Sequence, residues 1–337
     1  MNATPLVLNM GSLEQSIMMV DKQIAASDET WLDHHRWLET KGEEGKAATF
    51  AGVDLTGMVI PSGTSLKNAK FFDCDLTDAD FSGARDLLVA QLAGSTLTRT
   101  KLPEECNPEA ESAALSEMVK SAGKYYLALL GGSSYVLLTL ATTTDATLLQ
   151  GASSLNLPVF GTPVSVATFY TCAPIALTIA HLYFQFEMLA IWRAIGSLPA
   201  HLRDGRSLME HLHSWMPLSF AEGQVKRLTQ DEDLLNALKR NAVTFLLWFY
   251  TPLTIAATIV RYLPCRNMEV LHTQLTTLSL ILAMSALLYS SAKQHLSLHL
   301  KRTHVRFTSL ALFALILFGA SFGLKSLSYH ILKQYIT

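Results

Sequence analysis

The sequence predicts a β-plus-α membrane protein: a short β-solenoid followed by a bundle of four or five transmembrane helices. Three observations predict it. A bulky apolar residue returns at every fifth position from Phe50 to Leu102. Long apolar stretches without charge fill the C-terminal half. Charge is also divided between the halves: residues 1–119 hold nine Lys and Arg against nineteen Asp and Glu, and residues 120–337 hold seventeen against nine, although the whole chain nets only −2. An acidic soluble head joined to a basic, apolar tail gives that balance.

Half of the 337 residues are hydrophobic and 16% are charged, against roughly 25% charged in ordinary soluble chains. The length accommodates two domains. The acidic head argues against binding nucleic acid, which draws its affinity from phosphate neutralisation. Cys74, Cys106, Cys172 and Cys265 have no paired spacing, so no disulfide framework is expected. The first twenty residues lack a basic n-region, so no cleaved signal peptide is expected and the N-terminal domain is expected in the cytosol.

The five-residue period runs through Phe50, Leu55, Ile60, Leu66, Phe71, Leu76, Phe81, Leu87, Leu92, Leu97 and Leu102, with single-residue slips at Gly63 and Ala84. Two positions before each lies a mostly small, uncharged residue; Arg85 is the exception. A period of five fits neither a helix nor a strand. It requires a backbone that turns a corner every five residues and points one large and one small side chain inward. These eleven residues are the expected core of a β-solenoid over residues 46–103. Residues 1–45 are expected to form a helical N-terminal cap, with Trp31, Trp37 and Leu38 against the first coil, because an open solenoid end invites stacking of other chains. Pro103 and Pro108 end the repeat, and residues 104–124 are expected to be a linker with a helix.

The stretches "CDLTDADFSGARDLLVAQLAGSTLTRTKL" and "FAGVDLTG" resemble pentapeptide-repeat proteins, whose motif is a small residue, Asp or Asn, Leu or Phe, then two polar residues. The resemblance implies a right-handed square β-solenoid with four repeats per coil. Leu76, Phe81, Leu92 and Leu97 would be central core residues, and Cys74, Ala79, Ala90 and Ser95 their small inward partners. Eleven repeats make just under three coils, about 14 Å tall at the strand spacing.

A bilayer core needs roughly 20 apolar residues in a helix. Spans are expected at about 125–143, 164–186, 242–263, 271–290 and 307–324, within a transmembrane domain covering 125–337. Arg193, Arg203, Arg206, Lys226, Arg227, Lys239 and Arg240 lie in the loop 187–240, and Lys293, Lys301, Arg302 and Arg306 follow the fourth span. The positive-inside rule places both loops in the cytosol with the N-terminus. Five spans leave the C-terminus outside and four leave it inside. The stretches "LTLATTTDATLL", "LNLPVFGTPVSVATFY" and "FEMLAIWRAIGSLPAHLRDGR", together with the cap "HHRWLETKGEEG", resemble bacterial pentapeptide-repeat proteins with the same order of parts. That resemblance implies a multi-pass protein of the bacterial inner membrane and carries no reaction with it.

Small residues let helices approach closely. Gly319 and Gly323, spaced as GxxxG, and Gly131 and Gly132 are therefore candidates for helix packing or oligomerisation. Pro174 and Pro252 fall inside expected spans and are candidate kinks. His181, with Gln185 and Glu187 at the end of its span, is the nearest thing to an intramembrane polar site. His295 and His299 share a helical face but have no Cys or carboxylate at ligand spacing, so no metal is expected. No catalytic fingerprint or cofactor motif occurs, and an enzyme is not expected. The leading expectation is a membrane-anchored scaffold whose acidic solenoid, with Asp75, Asp78 and Asp80 on its surface, docks a protein partner or a sister subunit. The alternative is an oligomerising effector or pore that perturbs the inner membrane in a stress or anti-phage response. A transporter or channel is the weaker third. The expected partners are the lipid bilayer and a protein or second copy.

Overall fold

The computed structural model describes residues 30–149, 154–159, 161–213, 234–265 and 267–296. The expected fifth span, Gly319, Gly323, His299 and the first part of the cap lie outside them. The chain divides into two units. One comprises the residues up to Ala113 together with Ser197–His211; the other comprises Ala114–Gly196 together with the residues from Leu212 on.

In the first unit, helix α1 covers residues 30–39. Strands β1 (Thr49–Ala51) and β2 (Lys70–Phe72) then pair in parallel, with Phe50 opposite Phe71. The same parallel register continues as single bridges: Asp54 with Asp75, Val59 with Asp80, Ser65 with Arg85, Asp75 with Thr96 and Asp80 with Lys101. Each residue therefore lies beside the one a pass earlier. Backbone N–H groups follow suit: Leu55 donates to Asp75, Ile60 to Asp80, Leu76 to Thr96 and Phe81 to Lys101.

Inside the passes Leu66, Phe71, Leu76, Phe81, Leu92 and Leu97 are fully buried, and Phe50, Leu55, Ile60 and Leu87 nearly so. A fully buried side chain of this size contributes about 1.5–3 kcal/mol. Leu102 is half-buried. Cys74, Ala79 and Ser95 are buried between the large residues, but Ala90 is exposed. The chain takes a 3-10 turn over Val89–Leu92, which turns Val89, Gln91 and Leu92 inward and Ala90 outward. Ala84 is buried while Arg85 is exposed, so the small inward residue at this phase slip is Ala84.

The second unit is helical, and its first helix, α2 (Pro108–Thr142), has its N-terminal residues up to Ala113 in the first unit. Helix α2 begins with Pro108 in its first turn, preceded by Asn107, whose Oδ1 accepts from the Ala110 N–H at 3.0 Å. That is an N-cap with proline where the missing donor costs nothing. The helix is continuous through most of the stretch expected as a linker. A short helix α3 (Asp145–Leu149) and a two-residue antiparallel pair, β3 (Leu155–Asn156) with β4 (Pro163–Val164), lead to α4 (Val166–Ser197). A one-turn helix α5 (Leu208–His211) belongs to the first unit. Helices α6 (Leu234–Trp248) and α7 (Tyr250–Tyr262) meet at a break, and α8 (Met268–Leu296) closes the described chain.

Three helices, Pro108–Thr142, Val166–Ser197 and Met268–Ser291, are long and apolar enough to cross a membrane. The pair Asn241–Trp248 and Tyr250–Cys265, bent by 55°, passes the same test together and makes a fourth crossing if it is one span. Helix directions follow from side-chain partners. Tyr170 with Gln274, and His181 with Ser285, have the same separation of 104 residues, so α4 and α8 run the same way. Ser134 of α2 with Tyr250, and Asp145 three residues past the end of α2 with Arg261, share a separation of 116, so α2 and α7 also run the same way. Tyr126 packs on Phe184 and Gly132 faces Leu177, which sets α2 and α4 antiparallel.

Candidate interaction surface

The first pass of the repeats is covered by α1. Trp31 packs on Phe50 and Phe71, with ring centroids 5.5 and 6.4 Å apart. His34 is buried, and both its ring nitrogens are engaged. The Ala48 N–H donates to Nδ1 at 3.2 Å, which leaves the proton on Nε2 to donate to the Ser65 carbonyl, also at 3.2 Å. Burial holds His34 below its ordinary value of 6.5, although the Ser65 carbonyl pulls the other way. Gly45 has φ +77 and sits under α1, where a Cβ would meet the Trp37 nitrogen at 2.9 Å and the Asp33 carbonyl closer still. Glycine is required there.

The last pass is covered by a segment from far along the chain. Thr96 bridges His201 in parallel, the Leu97 N–H donates to His201 and the Arg99 N–H to Arg203, and the Ala200 N–H donates back to Ser95. Leu198, Leu202 and Leu208 are buried. Beyond Leu202 the chain turns at Gly205, φ +81, and Ser207 pairs antiparallel with His201. Arg203 grips Glu109 with two hydrogen bonds of 2.7 and 2.6 Å. The sequence reading placed these residues in a cytosolic loop and missed their role. The signal was there: Ala200-His201-Leu202-Arg203-Asp204 reads small, any, Leu, polar, polar, in register with Ser95-Thr96-Leu97-Thr98-Arg99.

The acidic residues of the repeats are largely engaged at home. Asp54, Asp75 and Asp80 each accept from the backbone N–H and the hydroxyl two residues on, at Thr56, Thr77 and Ser82. These are local caps that fix each corner. Asp78 takes a two-pronged bond from Arg99 one pass later, at 2.6 Å for both contacts, and Asp80 takes one from Lys101 at 3.0 Å. The Ser82 hydroxyl and N–H, with Lys101 adding to them, hold the Asp80 carboxyl down at about 2. The Arg99 guanidinium holds Asp78 below the usual range. These acids are therefore structural caps as well as surface charges. Large apolar side chains of the first unit that point outward are Val59, 69% exposed, and Leu88, 67% exposed, together with Leu32 and, less fully, Val53.

Cys106 is buried under the last pass, and burial pushes its thiol up to about 12, so it is chemically quiet. Among the described residues no group of three or more His, Cys, Asp or Glu could hold a metal.

In the helical unit, Pro174 lies inside α4 and cannot donate to the Tyr170 carbonyl. Gln274 of α8 fills that role, donating through Nε2 to Tyr170 at 2.9 Å. Pro252 stands in the first turn of α7, just past the break. There Gln185 of α4 donates through Nε2 to the Leu247 carbonyl at 3.1 Å. A buried glutamine thus donates to a backbone carbonyl at Pro174 and another at the break before Pro252. Gly132 would meet only Leu177 at 3.8 Å if it had a side chain, and at Gly131 nothing described lies within 4 Å.

Residues 62–85 match the family model described as "Pentapeptide repeats (8 copies)". The matched pentapeptide repeats run from the corner at Ser62 through the buried Leu66, Phe71, Leu76 and Phe81 to Arg85, and stop where the 3-10 turn replaces the pattern. No curated protein and no solved structure matches the chain.

Proposed function

We propose that the repeats form a right-handed pentapeptide-repeat β-solenoid that serves as a docking scaffold for a protein partner, held at the bacterial inner membrane by the helices. The observation that carries this reading is that both ends of the repeat stack are covered, by α1 and by residues 198–208. End-to-end addition of another chain is closed off, so the sides of the stack are left for recognition. Four places within one pass, at β1, Asp54, Val59 and Ser65, pair with the next pass, which suits a four-sided coil. The alternating helix directions suit four crossings that return the chain to the side from which α2 starts. The positive-inside rule applied to Arg193, Arg203 and Arg206 supports a cytosolic location for that side.

Charge reversal at Asp75, Asp78 or Asp80 is a poor test, because it also breaks corner caps and ion pairs. A photo-crosslinking residue placed at Val59 or Leu88 of the full chain in membranes leaves the fold's own bonds intact. Adducts to one protein from one of these positions support docking, and adducts to a second copy of this chain make the partner a sister subunit. No adduct from either position counts against the scaffold.

A second reading, an oligomerising effector that depolarises the membrane, draws on Gly131, whose open flank suits close approach of another helix. It requires that expression collapse the membrane potential and that Gly131→Leu relieve the collapse.

A further inference from the structure

The connection between α3 and α4 returns along α2 instead of standing clear of it. Between Lys124 and Asp145 the chain has no charged residue, a length that matches the roughly 20 residues a hydrocarbon core requires. Tyr135 stands at the middle of that stretch, and its hydroxyl donates to the carbonyl of Pro158, between β3 and β4, at 2.9 Å. Helix register shows how far the connection has travelled. Tyr126 packs on Phe184 and Gly132 faces Leu177. Val166, where α4 begins, is therefore level with Thr143, and Tyr135 is level with Pro174. From Thr143 to Tyr135 is about 12 Å along the helix at 1.5 Å per residue. The hairpin of β3 and β4 thus starts near the end of α2, descends to mid-span and climbs back to the start of α4.

We propose that this hairpin re-enters the bilayer from the side on which α2 ends and walls a water-filled recess that reaches mid-span. The inference rests on the reading that the helices cross a membrane. The hairpin is chemically suited to that depth. Pro158 and Pro163 have no N–H to strand. The Leu157 N–H donates to the Thr162 carbonyl, the Gly161 N–H donates to the Leu157 carbonyl, and the Tyr135 hydroxyl satisfies Pro158. From Ala146 to Phe186 the chain carries no Asp, Glu, Lys or Arg.

Irregular backbone at membrane depth is tolerated against protein or water, and not against lipid. Protein covers little of this tip among the described residues: Val159 is 84% exposed, and Gly161, Thr162 and Pro163 beside it are exposed as well. Val159 also has φ +71, which β-branched residues rarely adopt, so the bonds on either side of it hold the tip in place. Water is the occupant that suits such a wall. The side chain of Thr162 is exposed there, and so is that of Ser134, one residue before Tyr135. An ion is a poorer occupant, because the hairpin brings no fixed charge to that depth.

The test is the reaction of an introduced thiol with a charged, water-soluble methanethiosulfonate, on the full chain in nanodiscs with Cys172 and Cys265 replaced by serine. Ile179, 65% exposed on α4, is the lipid-side reference. Thr162→Cys should react about tenfold or more faster than Ile179→Cys, because the thiolate is the reacting form and hydrocarbon suppresses it. Depth is read separately, since a hairpin standing in open water would react too. A benzophenone amino acid in place of Tyr135 should give an intramolecular adduct with the connection between α3 and α4. Tyr135→Phe, which keeps the ring and loses the hydroxyl, should loosen the tip and speed the Thr162→Cys reaction about twofold or more. Either the adduct or the faster rate supports re-entry, and the absence of both overturns it. A Thr162→Cys as slow as a protected Ile179→Cys overturns the recess while leaving the membrane reading intact. An Ile179→Cys as fast as Thr162→Cys means that the helices are not in hydrocarbon, and the membrane reading falls together with the proposal.

Discussion

The two units treat buried polar groups in opposite ways. In the repeat unit the buried polar side chains are saturated. Gln91 donates to the Leu66 and Ala69 carbonyls and accepts from the Leu88 N–H, all at 2.6 Å. Ser95 donates to Phe71 and accepts from Cys74, Thr100 donates to Leu76, and His34 uses both nitrogens. In the helical unit Ser133, His181, Trp248, His272 and Gln274 each keep a buried polar atom without a partner among the described residues. A stack of short passes has many corners where backbone groups would be stranded, so its few polar side chains are spent on closing them. Helices close their own backbone, so the polar side chains between them are left with capacity to spare. The contrast teaches that the first unit is built to hold a shape, and the second has groups left over for protons, water or another helix.

The sharpest way to break that comparison is a matched pair of glutamines. Gln91→Leu strands the Ala69 carbonyl and the Leu88 N–H inside the repeats and leaves the Leu66 carbonyl with the Ala69 N–H alone, at about 1–3 kcal/mol for each stranded group, which is at the upper end of what one substitution costs. Gln274→Leu strands only the Tyr170 carbonyl, and interhelical bonds of this kind average about 0.6 kcal/mol with a maximum near 1.7. Hydrogen exchange should therefore rise across residues 64–97 in the first variant and only locally around Tyr170 in the second. Equal, small effects would mean that the repeat unit is no more tightly determined than the helices.

A second substitution tests the displaced repeat. Leu202 is fully buried against the last pass, and Leu202→Ala should cost about 2–5 kcal/mol. The loss should appear as faster exchange over residues 94–101, a hundred residues away in sequence. Unchanged exchange there would mean that the 198–208 segment merely lies on the repeats without stabilising them.

These elements also mark what was legible in the sequence. Phe50 to Leu97 were readable because a five-residue period repeated over many turns has no other simple explanation, and the helices were readable because their apolar runs exceed what a bilayer needs. The repeat at Ala200–Asp204 was not found because a single copy, isolated among charged residues, has no neighbour to set its phase. The corner at Val89–Leu92 was misread, with Ala90 turned inward, because Leu87 and Leu92 keep the period while the backbone between them changes to a 3-10 turn. That Pro174 and Pro252 each remove a backbone donor could be read from the sequence alone; the described bend of 55° lies at the break just before Pro252, while α4 runs unbroken through Pro174. That Gln274 and Gln185 would repair the backbone beside them depends on which helices meet, and periodicity carries no information about that.

The smallest effect concerns pH and the cap over the first pass. His34 is held neutral, below its ordinary value of 6.5, first by burial and slightly further by His35. The unfolded chain takes up a proton near that value and the folded chain resists it, so stability is fully present above about pH 6.5 and is lost as the pH falls toward the folded value. The geometry gives the same sign, since a protonated Nδ1 can no longer accept from the Ala48 N–H. Exchange over residues 48–72 should therefore accelerate between about pH 7 and pH 5, and His34→Gln, which can still accept and donate but does not titrate, should flatten that response at a modest cost in protection. Unchanged exchange over residues 48–72 across that range would mean that the cap holds with His34 protonated as well as neutral.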